Sequence, residues 1–470
     1  MAQPAAALLA LLLGTLVLWL SEALPVAVTA LAAPALGVLM GIASPQAMFA
    51  PFAHPTVLLF LSVAIWYQAA KWRRLDRAVA AWFFPSGRAT TYDVSRAVSI
   101  ATAALSAFAS SRSVAALMLP VVDKETSAYG LRCHRAGLLS VSWCAAFGSV
   151  FTAVGAPANL VALAALAQYD GRTVPLLYWT LIAAPVGVSL VALWLTWVKG
   201  LLGAMGHQPV RTEPNSARRA PTTAALKLAD TTPILWGLDR GQLAIVAVAL
   251  VCAALWAVPG VAALLYGVDS VQATSLTAQL PSAVIGLIAV SALFALPAGQ
   301  RTTSSTAQSQ PVLSWEHVRG IDWDLFFLLG CGLALGHQTV DTGLARWLGH
   351  LTIKGFALHS ELSLTLAMTT LALLLTQFAS DTVCAAVLCP LAVVASQQAN
   401  VSPVAPCVAA GMACSMSLLL PSSSPSNAVT FAYGKLTRKQ MAQRAVFALT
   451  AAALVIPTTT LVMVNVLNLW

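Results

Sequence analysis

The sequence predicts an all-α polytopic membrane protein of about ten spans, built as an inverted repeat with two re-entrant hairpins and two broken helices. Three observations carry this. Hydrophobic residues make up 59% of the 470 and charged residues only 9%, with a mean hydropathy of +0.81. A soluble domain carries about 25% charged residues, so 25 Lys+Arg and 16 Asp+Glu cannot wet a globule of this size. Apolar runs recur that are long enough to cross a hydrocarbon core of about 30 Å. Finally, one ordered set of sequence marks occurs twice. Such a composition excludes cytosolic enzymes, secreted disulfide scaffolds and DNA-binding modules.

Residues 5–20, 24–41 and 55–70 read as three spans, the first two parted by Ser21-Glu22. No basic segment precedes the first run, so it reads as a retained span rather than a cleaved signal. A basic amphipathic stretch follows, with Lys71, Arg73, Arg74, Arg77, Arg88 and Arg96. The positive-inside rule puts it in the cytoplasm. Residues 97–122 form the first hairpin, 136–167 a helix broken at Gly155 and Pro157, and 174–198 a span, closing a first repeat over 1–198. Residues 199–240 are a cytoplasmic linker loop. The second repeat, 241–470, has spans 241–267, 279–297 and 323–337, with a polar linker at 298–312. An amphipathic stretch (338–358), a hairpin (359–398), a broken helix (407–434) and a span (443–468) follow.

The duplication is legible in spacing. Ser110-Ser111-Arg112, Met118-Leu119-Pro120 and Gly155-Ala156-Pro157-Ala158-Asn159 mark the first half. Ser380-Asp381-Thr382, Leu388-Cys389-Pro390 and Ser423-Ser424-Pro425-Ser426-Asn427 mark the second. Ser to Pro is ten residues in both (110 to 120, 380 to 390), and Ser to Asn is 49 in one and 47 in the other. If 97–122 and 359–398 dip in and return, each half has five crossings and the second starts from the opposite face. The N-terminus is then outside, and Lys435, Arg438 and Lys439 fall inside, as their charge requires. Inverted repeats of this kind are a common build of secondary transporters.

Broken backbone at membrane depth is tolerated only where it is buried in protein or lines a cavity, so the tips and breaks are the candidate site. Helix N-termini there offer unpaired N–H groups to an anion. Free carbonyls and Ser, Thr and Asn oxygens suit a small hard cation. Asn159 and Asn427 are expected to hold the breaks by bonding freed backbone groups. The eight cysteines show no CxxC spacing and the seven histidines no HExxH spacing, so no metal is expected beyond Na+. His54 and His337, near span ends, read as satisfied polar residues, and Asp324 as the mark of a helix start. The 14 tryptophans suit interfacial belts. The net charge of +9 lacks the dense basic stripe that nucleic acid requires.

Ser21-Glu22-Ala23-Leu24-Pro25, Trp323-Asp324-Leu325 leading into Gly332-Leu333-Ala334-Leu335-Gly336, and Pro421 to Asn427 followed by Phe431-Ala432-Tyr433-Gly434 carry a resemblance. The chain resembles the divalent anion/sodium symporter family, from about Leu8 to beyond Gly434. The resemblance implies a homodimer with a scaffold domain and a transport domain that moves as an elevator. It implies secondary transport of dicarboxylates such as succinate or malate, or of sulfate, with Na+ as the coupling ion and no other cofactor. The substrate would touch Ser110, Ser111, Arg112, Ser380, Asp381, Thr382, Ser424 and Pro425. One cation site would draw on Ser106, Ser110, Ser111 and Gly155, and the other on Thr376, Ala379, Asp381 and Ser423.

The chain departs from the family at both hairpin tips, where a Ser-Asn-Thr triplet is the hallmark. Ser110-Ser111-Arg112 replaces Asn and Thr, and Ser380-Asp381-Thr382 replaces Asn. Charges at membrane depth cost about 2.5–3.5 kcal/mol on insertion scales and face a cavity or one another. Arg112 is therefore expected to bind the substrate anion in place of one Na+, altering the coupling. Asp381 is left three roles, namely strengthening Na+ binding, pairing with Arg112, or taking up H+. An Na+-independent exchanger, a metalloid-oxyanion or citrate permease and a non-transporting sensor stay open. An intramembrane enzyme finds no paired nucleophile and base. The expected location is a plasma or bacterial inner membrane, with the lipid bilayer and a small anion as partners.

Overall fold

The computed structural model describes residues 3–21, 23–83, 90–126, 131–169, 174–203, 238–298, 311–344, 347 and 360–468. Glu22, Arg88, most of the loops 199–240 and 298–312, and most of the stretch 338–358 lie outside the described residues. The first half contains α1 (Gln3–Ser21), α2 (Val26–Leu39), α3 (Pro45–Phe49), α4 (Pro55–Trp72), α5 (Leu75–Trp82), α6 (Thr91–Ser106), α7 (Ser111–Thr126), α8 (Leu131–Ser149), α9 (Pro157–Tyr169) and α10 (Leu176–Gly203). The second contains α11 (Arg240–Tyr266), α12 (Val271–Gln279), α13 (Ser282–Ala295), α14 (Trp315–Val318), α15 (Trp323–Asp341), α16 (Glu361–Leu375), α17 (Asp381–Gln398), α18 (Val404–Cys414), α19 (Pro425–Ala432) and α20 (Arg438–Val466). Among the described residues the only other pairing is an isolated bridge between Pro297 and Pro311.

Helices coincide with the apolar runs because hydrocarbon leaves the backbone no partner but itself. Some starts are set by polar caps rather than by hydrophobicity. The first hairpin begins at Thr91, before the apolar run, because Thr90 and Asp93 exchange side-chain and backbone hydrogen bonds. Thr437 with Gln440 likewise starts α20 ahead of its run. The sequence reading missed α3, α12 and α14, which are too short or too polar to register as spans. Six helical stretches among the described residues are long and apolar enough to cross a bilayer. Other apolar helices, including α9, α16 and α18, are 10–17 residues long, the length expected when a helix stops at a break.

The packing interlocks the halves. In each, the first hairpin arm lies on the first piece of the broken helix, α6 on α8 and α16 on α18. The second arms cross over, α7 onto α19 and α17 onto α9. Close approach is needed here. A Cβ on Gly148 would collide with the Ala103 backbone, so α8 meets α6 without a side chain between. Outside this body α4 packs on α13, and α15 on α2.

The tryptophans correct one expectation. Trp143, Trp179 and Trp194 are among the largest fully buried side chains, not interfacial ones. Trp143 meets Trp194 edge-on and Trp194 stacks on Trp197, each pair at a centroid distance of 4.8 Å. Buried indole N–H groups need acceptors, and Trp194 donates to Ser140 Oγ at 2.9 Å. Trp179 donates to the Val150 carbonyl at 3.0 Å, satisfying an oxygen freed by the first break.

Candidate functional site

Both breaks are spanned by one device. In the first, α8 ends at Ser149 and α9 starts at Pro157. Asn159 Nδ2 donates to the carbonyls of Ser149 and Thr152, both at 2.9 Å. In the second, α18 ends at Cys414 and α19 starts at Pro425. Asn427 Nδ2 donates to the carbonyls of Ser417 at 2.8 Å and Leu420 at 2.9 Å, and to Ser423 Oγ at 3.1 Å. Each Asn reaches ten and seven residues back. Ser142 in the first half also donates to Asn427 Oδ1. The asparagines thus satisfy carbonyls that an unbroken helix would have used, as expected from the sequence.

The second break carries a staple that the sequence did not reveal. Gln377 Nε2 donates to the carbonyls of Leu373 at 2.7 Å and Met416 at 2.9 Å. Its Oε1 accepts from the backbone N–H groups of Leu418 at 3.0 Å and Leu419 at 2.9 Å. The first half has Ala107 at the matching position, and there Thr152 Oγ1 donates to the Ala107 carbonyl.

Around the second tip, oxygens converge. Asp381 opens α17, and its Oδ1 accepts from Ser417 Oγ at 2.7 Å and Thr376 Oγ1 at 3.2 Å. Thr376, fully buried, also lies 2.5 Å from the Cys414 carbonyl. One hydroxyl proton serves one acceptor at a time, so the cluster holds more lone pairs than protons. Ser423 Oγ donates to the carbonyls of Leu420 at 2.7 Å and Ser417 at 3.2 Å. Thr376, Asp381 and Ser423 therefore come together through Ser417, which the sequence reading had not singled out. Ala379 and Ser380 lie in the tip turn, half-buried and exposed, and Thr382 is buried on α17.

The first tip differs. Ser106 is buried and donates to the Ala145 carbonyl at 2.7 Å. Ser110 Oγ accepts from the Ser113 N–H at 3.3 Å and lies 3.3 Å from Ser113 Oγ, capping α7. Ser111 is half-buried at the helix start. Gly155 sits where a Cβ would lie 2.9 Å from the Ala107 carbonyl and closer still to that of Ser149. Arg112 projects outward, its side chain 58% exposed, and its Nη1 lies 3.6 Å from Asp322 Oδ2. The Arg112–Asp381 pairing that the sequence left open is not the arrangement found, since the two charges have separate partners. At the second break, Ser424 Oγ caps α19 by accepting from the Asn427 N–H at 3.2 Å, and Pro425 is its exposed first residue.

Phe108 and Phe378, 270 residues apart like the two triplets, precede them in the tip turns and are 52% and 70% exposed. The tips therefore present aromatic rings as well as serines. His54 and His337 are satisfied as expected. His54 Nδ1 accepts from the Thr56 N–H at 3.2 Å, and His337 Nδ1 lies 2.9 Å from Asp341 Oδ2.

A family model described as the sodium:sulfate symporter transmembrane region matches residues 1–470. The sodium-dependent dicarboxylate transporter SdcS of Staphylococcus saprophyticus is 25% identical over 436 residues, covering 90% of this chain and 79% of the relative. Its counterpart in Staphylococcus aureus strain MSSA476 is 24% identical with the same coverage. Among solved structures, the YdaH transporter of Alcanivorax borkumensis superposes with a TM-score of 0.58 at 13% identity, covering 99% of each chain. MtrF of Neisseria gonorrhoeae, described with a class of antimetabolite efflux pumps, gives 0.57 at 12% identity, covering 97% of this chain and 95% of the other. At such identities the two structures speak for the fold alone.

Proposed function

The chain belongs to the sodium:sulfate symporter transmembrane-region family, a multi-pass membrane transporter and not an enzyme, and from that premise we propose a cation-coupled carrier of small divalent anions. Dicarboxylates such as succinate and malate are its substrates, with sulfate next. Its curated relatives are named as sodium-dependent dicarboxylate transporters. Two inverted repeats move the anion by an elevator motion in a homodimer, as the family resemblance implies.

One observation carries the finer reading, namely the asymmetry of the two tips. Asp381 sits among the oxygens of Thr376, Ser417 and Ser423, an oxygen-rich, anionic setting for one Na+. The matching place in the first half has Ser111, followed in sequence by Arg112, whose exposed guanidinium faces Asp322. A fixed cation there repels Na+ and offers a planar fork to a carboxylate or sulfate. Arg112 thus takes the place of one coupling cation, and transport runs on the Asp381 site alone.

Labelled succinate and sulfate uptake into proteoliposomes tests this. Arg112→Thr is expected to raise the KM for succinate about tenfold or more, the scale of a lost charge-assisted hydrogen bond. An unchanged KM would remove Arg112 from the substrate site. Uptake driven only by internal substrate, with no response to a cation gradient, would make the protein an exchanger.

A further inference from the structure

Asp322 stands at the N-terminal boundary of α15, where its side chain makes no capping hydrogen bond. The segment leading to it is fastened to the C-terminal end of α4. Arg73 Nε and Nη2 donate to the carbonyls of Val312 at 3.4 Å and Pro311 at 3.3 Å. Gln68 Nε2 donates to the Gly320 carbonyl at 2.5 Å, and the ring of His317 packs 3.9 Å from that of Trp72. The same turn of α4 carries Tyr67, whose phenol lies close to Ser113, the residue after Arg112. A carboxylate fixed on one part of the molecule is thereby set opposite a guanidinium on the tip of another.

The geometry of the pair is loose. At 3.6 Å it is an ion pair rather than a hydrogen bond, and the two side chains are 58% and 41% exposed. A soluble carboxylate making the parallel two-bond contact that a guanidinium prefers, at about 2.7–2.9 Å, binds better than this tethered one.

We propose that Asp322 is a built-in competitor for Arg112, a tethered carboxylate that an incoming substrate anion must displace, and that it sets the substrate affinity. The proposal rests on the reading of Arg112 as the anion contact. Displaced, Asp322 remains a negative charge beside the site, so it weakens binding both as occupant and as neighbour. Neutralising it frees the guanidinium and removes the repulsion.

The test is succinate uptake by the full chain in proteoliposomes, comparing Asp322→Asn, Asp322→Glu, Arg112→Thr and the double variant Arg112→Thr/Asp322→Asn. Asn starts helices as well as Asp does, and Asp322→Ser repeats the measurement if the Asn variant does not fold. The expected result is a KM about two- to fivefold lower in Asp322→Asn, the range of partly exposed ion pairs. Asp322→Glu should stay near the parent, and high salt should narrow the gap. In the Arg112→Thr background only the repulsion remains to be removed, so the Asp322 change should lower KM clearly less than it does in the parent. An unchanged KM in Asp322→Asn, while Arg112→Thr raises KM, overturns the competitor and leaves the substrate role of Arg112 intact. A gain in Vmax at constant KM overturns it too, since the pair then restrains movement instead of binding. If Arg112→Thr itself leaves KM unchanged, both readings fall.

Discussion

In the proposed carrier, the cation chemistry turns on Asp381. A carboxylate about 4 Å from a cation gains about 4 kcal/mol at an effective dielectric of 20, more than an amide oxygen supplies. Asp381→Asn restores the family's triplet but removes that charge, so the Na+ concentration for half-maximal uptake should rise by roughly tenfold or more. Asp381→Ala, which also strips the partner from Ser417 and Thr376, should abolish Na+-driven uptake. Uptake titrated against Na+ checks both. At this scale the triplets and the two asparagines were legible because repeat spacing marks them, and Thr376 only through the family resemblance. Ser417, Gln377 and Asp322 were not. Ser417 and Gln377 act through a loop whose path only the packing fixes, and Asp322 meets Arg112 from 210 residues away in sequence (322 less 112).

Among elements, the breaks depend on single side chains. Asn427 serves two carbonyls and a hydroxyl and receives Ser142, whereas Asn159 serves two carbonyls. Each buried polar group left without a partner costs about 1–3 kcal/mol. Asn427→Ala should therefore lower the thermal unfolding midpoint of the detergent-solubilised protein more than Asn159→Ala does, and both should weaken substrate binding. The strap before α15 has a different sensitivity. Burial against Trp72, with Arg73 nearby, holds His317 below its ordinary value of 6.5, while Glu316 opposes this. A depressed value means that the fold favours the neutral ring, so its contribution is whole above pH 6.5 and is lost as pH falls below it. Protection of the amides across 311–320, measured relative to the intrinsic exchange rate at each pH, should fall as pH drops from neutral to about 5, and His317→Phe should remove that dependence. The lengths of the apolar runs located the long elements to within about one or two helical turns. They were blind to α12 and α14, whose short polar sequences form helices by capping and by packing on neighbours.

At the scale of the whole molecule, the crosswise packing of α7 on α19 and α17 on α9 makes the hairpins and breaks one body. Tyr67 on α4 meets that body at Ser113. If the body travels, that contact must part. Tyr67→Cys and Ser113→Cys joined by a cleavable thiol reagent long enough to replace the phenol should arrest uptake, and cleavage should restore it. All eight native cysteines are buried, which limits competing reaction. Undiminished uptake in the joined protein would mean that the first hairpin stays on α4 throughout the cycle. The membrane class and the duplication were evident from composition and spacing, whereas the interlock of the halves was not, because no local pattern records which distant helix fills a groove.

The most direct test of a single-cation carrier is the rate of labelled succinate uptake into proteoliposomes as external Na+ is raised. One Asp381-centred site predicts a hyperbolic rise that Asp381→Ala removes, with Arg112→Thr altering the succinate KM instead. A sigmoidal rise, the signature of two cooperating cations, would contradict the account, as would uptake that ignores Na+ and answers only to internal succinate.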